Sequence, residues 1–109
     1  MKKISLFTNL ILLAISFSAF SQPVNLSTTN ITSSQAELSW DGSSCAGNVI
    51  LHYKVAGTAW PGTIINPAVS PNTLTGLSSS TSYEWRVKCG GTSVWSPTQQ
   101  FVTSAPPAT

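Results

Sequence analysis

Charge is scarce in this chain: of 109 residues, five are Lys or Arg, three are Asp or Glu, and one is His. Lys2 and Lys3 stand at the extreme amino terminus, which leaves Lys54, Arg86 and Lys88 against Glu37, Asp41 and Glu84 over everything that follows. So even a balance cannot furnish the basic stripe that phosphate contacts or an anionic membrane surface require, and neither nucleic acid nor membrane is expected as a partner. Acid–base catalysis needs two titratable groups within reach of one bond, and few are on offer. No nucleophile elbow or phosphate-binding loop appears, and the Ser78-Ser79-Ser80 run has no base beside it to activate a hydroxyl. No enzyme activity and no cofactor are predicted. Metal ligands are equally few: a zinc site wants about four, whereas Cys45 and Cys89 have only His52 to join them. Helical heptads are missing too. Seven Gly, seven Pro and abundant Ser and Thr accompany short alternating apolar runs, which favours pleated strands and turns over helices.

The first residues carry an export grammar. Lys2-Lys3 is followed by the apolar run Leu10 to Ile15 and by small residues at Ala19 and Ser21. That run is too short to cross a ~30 Å hydrocarbon layer, so residues 1–21 read as a signal peptide cleaved between Ser21 and Gln22. No Cys follows it to accept a lipid, which predicts a secreted protein with no membrane insertion after cleavage. The leader has a bacterial look. Asn25-Leu26-Ser27 and Asn30-Ile31-Thr32 match the N-glycosylation pattern, but no role is assigned to them in that setting.

Seven short β runs follow: Val24 to Thr28, Gln35 to Trp40, Val49 to Val55, Trp60 to Ile65, Asn72 to Leu77, Tyr83 to Cys89, and Gln99 to Thr103. Period-two alternation places Ala36, Leu38 and Trp40 on one face of the second run, and Leu51, Tyr53 and Val55 opposite Ile50, His52 and Lys54 in the third. The sixth run alternates most cleanly, with Tyr83, Trp85, Val87 and Cys89 inward. Trp95 is assigned to the start of the last strand. The tail 104–109, rich in proline without amide donors, reads as a linker, so one domain over residues 22–103 is expected as a monomeric module of a larger protein.

The residues Ala36-x-Leu38-x-Trp40, Tyr53-x-Val55, Gly76-Leu77 with Thr81-x-Tyr83, and Phe101-x-Thr103 recur in fibronectin type III order, and the chain resembles a fibronectin type III domain over nearly all of 23–103. The resemblance implies an all-β, immunoglobulin-like sandwich of about seven antiparallel strands in two sheets. Trp40 would be the buried tryptophan of the second strand, and the Tyr83 hydroxyl would bond back to the backbone near Leu77. Trp40, Tyr53, Leu77, Tyr83, Trp85 and Val87 form the expected core. Where family members often carry proline between that Leu and Tyr, this chain has Ser79, which predicts a less rigid turn.

An even cysteine count in an exported chain is most simply a disulfide. In the resembled fold Cys45 and Cys89 lie at one pole, so a Cys45–Cys89 bridge is expected. The same fold sets Glu37 and Glu84 on opposite sheets, out of range for a glycosidase pair, while His52 and Glu84 could meet on neighbouring strands as a solvated pair. Trp60 and Trp95 fall outside the core. Ser93-Val94-Trp95-Ser96 resembles half of the Trp-Ser repeat of cytokine-receptor modules, in which Trp–Arg stacks are structural, and Arg86 and Lys88 stand ready as partners. The residues at 90–93 differ from an Arg-Gly-Asp adhesion signal, so integrin binding is not expected.

The expected function is therefore a non-catalytic extracellular spacer or presentation module. The alternative is an adhesion module that grips a polysaccharide or a protein surface with Trp60, Trp95 and the loops around Cys45 and Gly90.

Overall fold

The computed structural model describes residues 21–107. The expected signal peptide, except for Ser21, and the final two residues of the tail lie outside that range. Seven strands form: β1 (Val24–Thr29), β2 (Ala36–Asp41), β3 (Val49–Val55), β4 (Thr63–Ala68), β5 (Asn72–Leu74), β6 (Ser82–Cys89) and β7 (Gln99–Val102). They pair antiparallel into a three-stranded sheet, β1-β2-β5, and a four-stranded sheet, β4-β3-β6-β7.

Alternation drives both sheets together. Each strand puts every second side chain on one face, and in β2 and β6 those side chains are apolar. Ala36, Leu38 and Trp40 from β2 meet Tyr83, Trp85 and Val87 from β6, joined by Leu51, Leu74, Leu77 and Phe101. Trp40 and Trp85 pack at 6.2 Å between ring centroids. Trp85 is fully buried, and its indole N–H donates to Thr28 Oγ1 at 3.0 Å, so one side chain ties the two sheets by packing and by a hydrogen bond. Tyr83 and Phe101 are cross-strand partners and stack with centroids 5.5 Å apart. Burying such a side chain stabilises the fold by roughly 1.5–3 kcal/mol each.

The hydroxyl of Tyr83 accepts the backbone N–H of Ser78 at 2.8 Å, one residue beyond Leu77. The turn at Ser79 is held without proline. Thr81 Oγ1 donates to the Ser79 carbonyl, and buried Thr103 donates through Oγ1 to the Ser78 carbonyl while accepting the Thr81 N–H.

Four expectations need correction. The fourth strand begins at Thr63 rather than Trp60, because Pro61 and the left-handed Gly62 turn the chain before it can pair. The fifth strand stops at Leu74, and Leu77 reaches the core from the following turn, where its N–H donates to the Ser34 carbonyl. Trp95 belongs to no strand. Tyr53 is half-buried against the margin of the core rather than within it, and Val55, at the strand's exit, is exposed.

Candidate functional site

Glu84, Arg86 and Lys88 stand two apart along β6, so period-two geometry turns all three to the outer face of the four-stranded sheet. Register then decides their neighbours. Across β3, Lys54 faces Glu84, His52 faces Arg86, and Ile50 faces Lys88. The expected His52–Glu84 pair is thus displaced by one step: Lys54 Nζ makes the ion pair with Glu84, the only ion pair among the described residues.

Two loops drape tryptophans over this row. The loop after β3 folds back so closely that a Cβ on Gly62 would lie 2.4 Å from the Tyr53 carbonyl oxygen and 2.6 Å from Lys54 Cβ, an approach open only to glycine. That loop carries Trp60. Lys54, expected outside, is therefore 7% exposed: its stem is roofed by the loop, while its ammonium meets Glu84. In the loop after β6, buried Ser96 docks on the strand. Its N–H donates to the Val87 carbonyl at 2.8 Å, and its Oγ accepts the Val87 N–H at 3.0 Å. This pair of hydrogen bonds seats Trp95 beside Arg86.

The result is a ladder of alternating cations and indoles. The Arg86 guanidinium lies 4.1 Å from the ring centroids of both Trp60 and Trp95. Lys54 Nζ lies 4.5 Å from Trp60, and Lys88 Nζ 4.9 Å from Trp95. His52 packs at 4.4 Å on Trp95. The two tryptophans are half-buried and held by cations, so they do not form a flat open platform. Partial desolvation strengthens each contact, roughly 0.5–2 kcal/mol apiece.

Desolvation, then the positive charges of Arg86 and Lys88, holds the His52 imidazole below its ordinary value of 6.5. The folded chain thus resists a proton that the unfolded chain accepts, and the corresponding stability is complete above the unfolded value and lost as pH falls through and below it. Urea midpoints are expected to decline between about pH 7 and pH 5, before the carboxylates titrate. His52→Gln should flatten that decline, and an unchanged slope would refute the assignment.

The carboxylates do not converge. Glu37, on the other sheet, accepts Asn30 Nδ2 at 2.8 Å and Thr29 Oγ1 at 3.3 Å. Asp41 accepts the Ser43 N–H at 2.9 Å, which together with the Ser43 hydroxyl keeps its carboxyl below the usual range.

At the pole where β2 and β6 end, Cys45 and Cys89 are bridged with Cα atoms 5.2 Å apart. Beside the bridged loop lies an open depression of about 540 Å³, floored by Trp40 and Ala68 and rimmed by Asp41, Asn48 and Val69. The Cys45 and Gly90 loops come together here, with the Gly90 N–H donating to the Asn48 carbonyl. Trp60, on the loop at the opposite end of β3, is not part of this pole, so the three features expected to share a binding surface are split between two places.

Sequence reasoning overlooked Lys54, Gly62 and Ser96. Ser96 had a signal in the Trp-Ser pair; Gly62 and Lys54 had none, since a loop folding onto a strand six to nine residues earlier leaves no period.

Residues 21–103 match the family model for the fibronectin type III domain. Among solved structures, a computationally redesigned β-sandwich protein superposes with a TM-score of 0.69 at 22% identity, covering 83% of this chain and 96% of its own. The fibronectin type III domain of human contactin 1 gives 0.64 at 15% identity, with 82% of each chain covered. The sensor domain of the anti-sigma factor RsgI4 from Pseudobacteroides cellulosolvens gives 0.60 at 23% identity, over 78% of this chain and 75% of that one. No curated protein matches the chain.

Proposed function

Because the chain belongs to the fibronectin type III domain family, we propose that it is a non-catalytic extracellular module that spaces or presents neighbouring domains of a secreted or surface protein. The observation that carries this reading is the ladder itself: Trp60 and Trp95 spend their ring faces on Lys54, Arg86 and Lys88, which leaves no stacking platform for a neutral sugar. Their role is to cover and stiffen the outer face of the four-stranded sheet. The signal-peptide grammar of residues 1–21 and the disulfide support an oxidising, extracellular setting. The proline-rich tail fits a connection to a further domain.

A neutral-polysaccharide pull-down and a melting curve on wild type and Trp60→Ala separate the spacer from the adhesion alternative. The spacer reading expects no retention of either protein and a lower melting temperature for the variant, since two cation–π contacts are lost. Retention of wild type that disappears in the variant would instead make Trp60 a sugar contact.

A further inference from the structure

Across the sequence three cations balance three carboxylates, but the fold does not leave them mixed. Glu37 and Asp41 both lie on β2 in the three-stranded sheet. Lys54, Arg86 and Lys88 all lie on the outer face of the other sheet, where Glu84 is already committed to Lys54. Among the described residues neither Arg86 nor Lys88 meets a carboxylate, so this face keeps two uncompensated positive charges side by side on β6.

Arg86 is the better defined of the two. Its guanidinium carbon lies 4.1 Å from the ring centroids of two indoles, Trp60 and Trp95, which together hold the group in place. Its Nε is buried and closed to a ligand, which leaves the terminal amino groups of the guanidinium to meet one. A planar fork held in this way has already lost the side-chain freedom that binding would otherwise remove, and it matches a carboxylate or sulfate bidentately. Lys88, on the far side of Trp95, supplies a second positive charge on the same strand.

We propose that the Arg86–Lys88 face binds an acidic polysaccharide through its anionic groups. This goes beyond the spacer role, which needs no ligand. The strand order decides between sugar polymer and acidic peptide. β3 lies between β4 and β6, and beside Arg86–Lys88, beyond the reach of β7, the Val87 N–H and C=O are both taken by Ser96, so the face offers no open strand edge with which an extended peptide could pair. What it does offer is positive charge held in place by the two loops that cover the sheet, suited to a stiff chain that repeats its negative charges and needs no groove.

The test passes the full-length chain over immobilised alginate, dextran and polyglutamate, with thermal unfolding recorded for every variant. Wild type is expected to be held by alginate, released by added salt, and passed by dextran. Lys88→Glu, at the rim of the ladder, should weaken retention by at least about tenfold while the protein stays folded. Arg86→Lys keeps the charge but loses the fork, and should weaken it severalfold. Failure of alginate to retain wild type at low salt, equal retention by dextran, or indifference to Lys88→Glu would overturn the proposal. Stronger retention by polyglutamate than by alginate would overturn it in favour of an acidic peptide. If no polymer retains the chain, the spacer reading still stands.

Discussion

Trp85→Ala is expected to cost about 3–5 kcal/mol, enough to leave the module largely unfolded if its total stability is near the lower end of the usual 5–15 kcal/mol. The indole is fully buried between the sheets, packs on Trp40, and donates its N–H to Thr28. Truncation would remove the largest enclosed side chain, open a cavity that two rigid sheets cannot collapse to fill, and leave the Thr28 hydroxyl without its donor. Urea denaturation followed by far-ultraviolet circular dichroism measures the loss. Ile64→Ala, on β4 of the same four-stranded sheet but 54% exposed, is the matched control and should fall within about 0.5 kcal/mol of wild type. Equal effects at both positions would contradict the observed division between core and surface.

Removing the disulfide is expected to cost a comparable amount. Cys45 and Cys89 are separated by 44 positions, and closing a loop of that size removes denatured-state entropy worth about 4 kcal/mol in the chain-entropy account. For a domain of this size that corresponds to a fall in melting temperature on the order of 15–30 °C. The double variant Cys45→Ser, Cys89→Ser measures it directly, and mass spectrometry of the unreduced protein should find both thiols blocked and joined within one chain. Cys89 is 2% exposed at the end of a core strand, so reductant should act much faster in urea than on the folded protein. Equal rates in the two conditions would show that the bridge is not shielded as described.

What could be read from the sequence followed from local period. In β6, alternation alone assigns Tyr83, Trp85 and Val87 inward and Glu84, Arg86 and Lys88 outward, and the fold agrees residue by residue. β2 was equally legible. The errors lie where a distant segment overrides the pattern. Lys54 is in the outward phase of β3, yet the Trp60 loop covers it, because Gly62 permits contact with the strand's backbone. The register between β3 and β6 was also hidden: alternation fixes which side a residue faces but not which cross-strand neighbour it meets, so Lys54 rather than His52 lies opposite Glu84. Trp95 was misassigned for a related reason. Its position is set by the grip of Ser96 on Val87, a contact between a loop and a strand nine residues upstream. The joint capture of Arg86 by two tryptophans depends on both loops at once, and no single stretch of sequence contains it.

The hydrogen bonds at the two ends of the sandwich carry a mechanical implication. The chain enters at the pole of the Cys45 loop, where Ser44 Oγ donates to the Gln22 carbonyl, and it leaves at the far pole, where Ser104 bonds through its N–H to Thr32 and through its carbonyl to Ser80. Tension applied between neighbours in a string would therefore run along the strands and load their ladders in shear instead of peeling them apart one bond at a time. Once the sheets yield, the covalent link between the loop and β6 would keep the enclosed stretch, 44 positions long, from paying out, withholding roughly 150 Å of extension per module. A tether made of such units would give way in short steps.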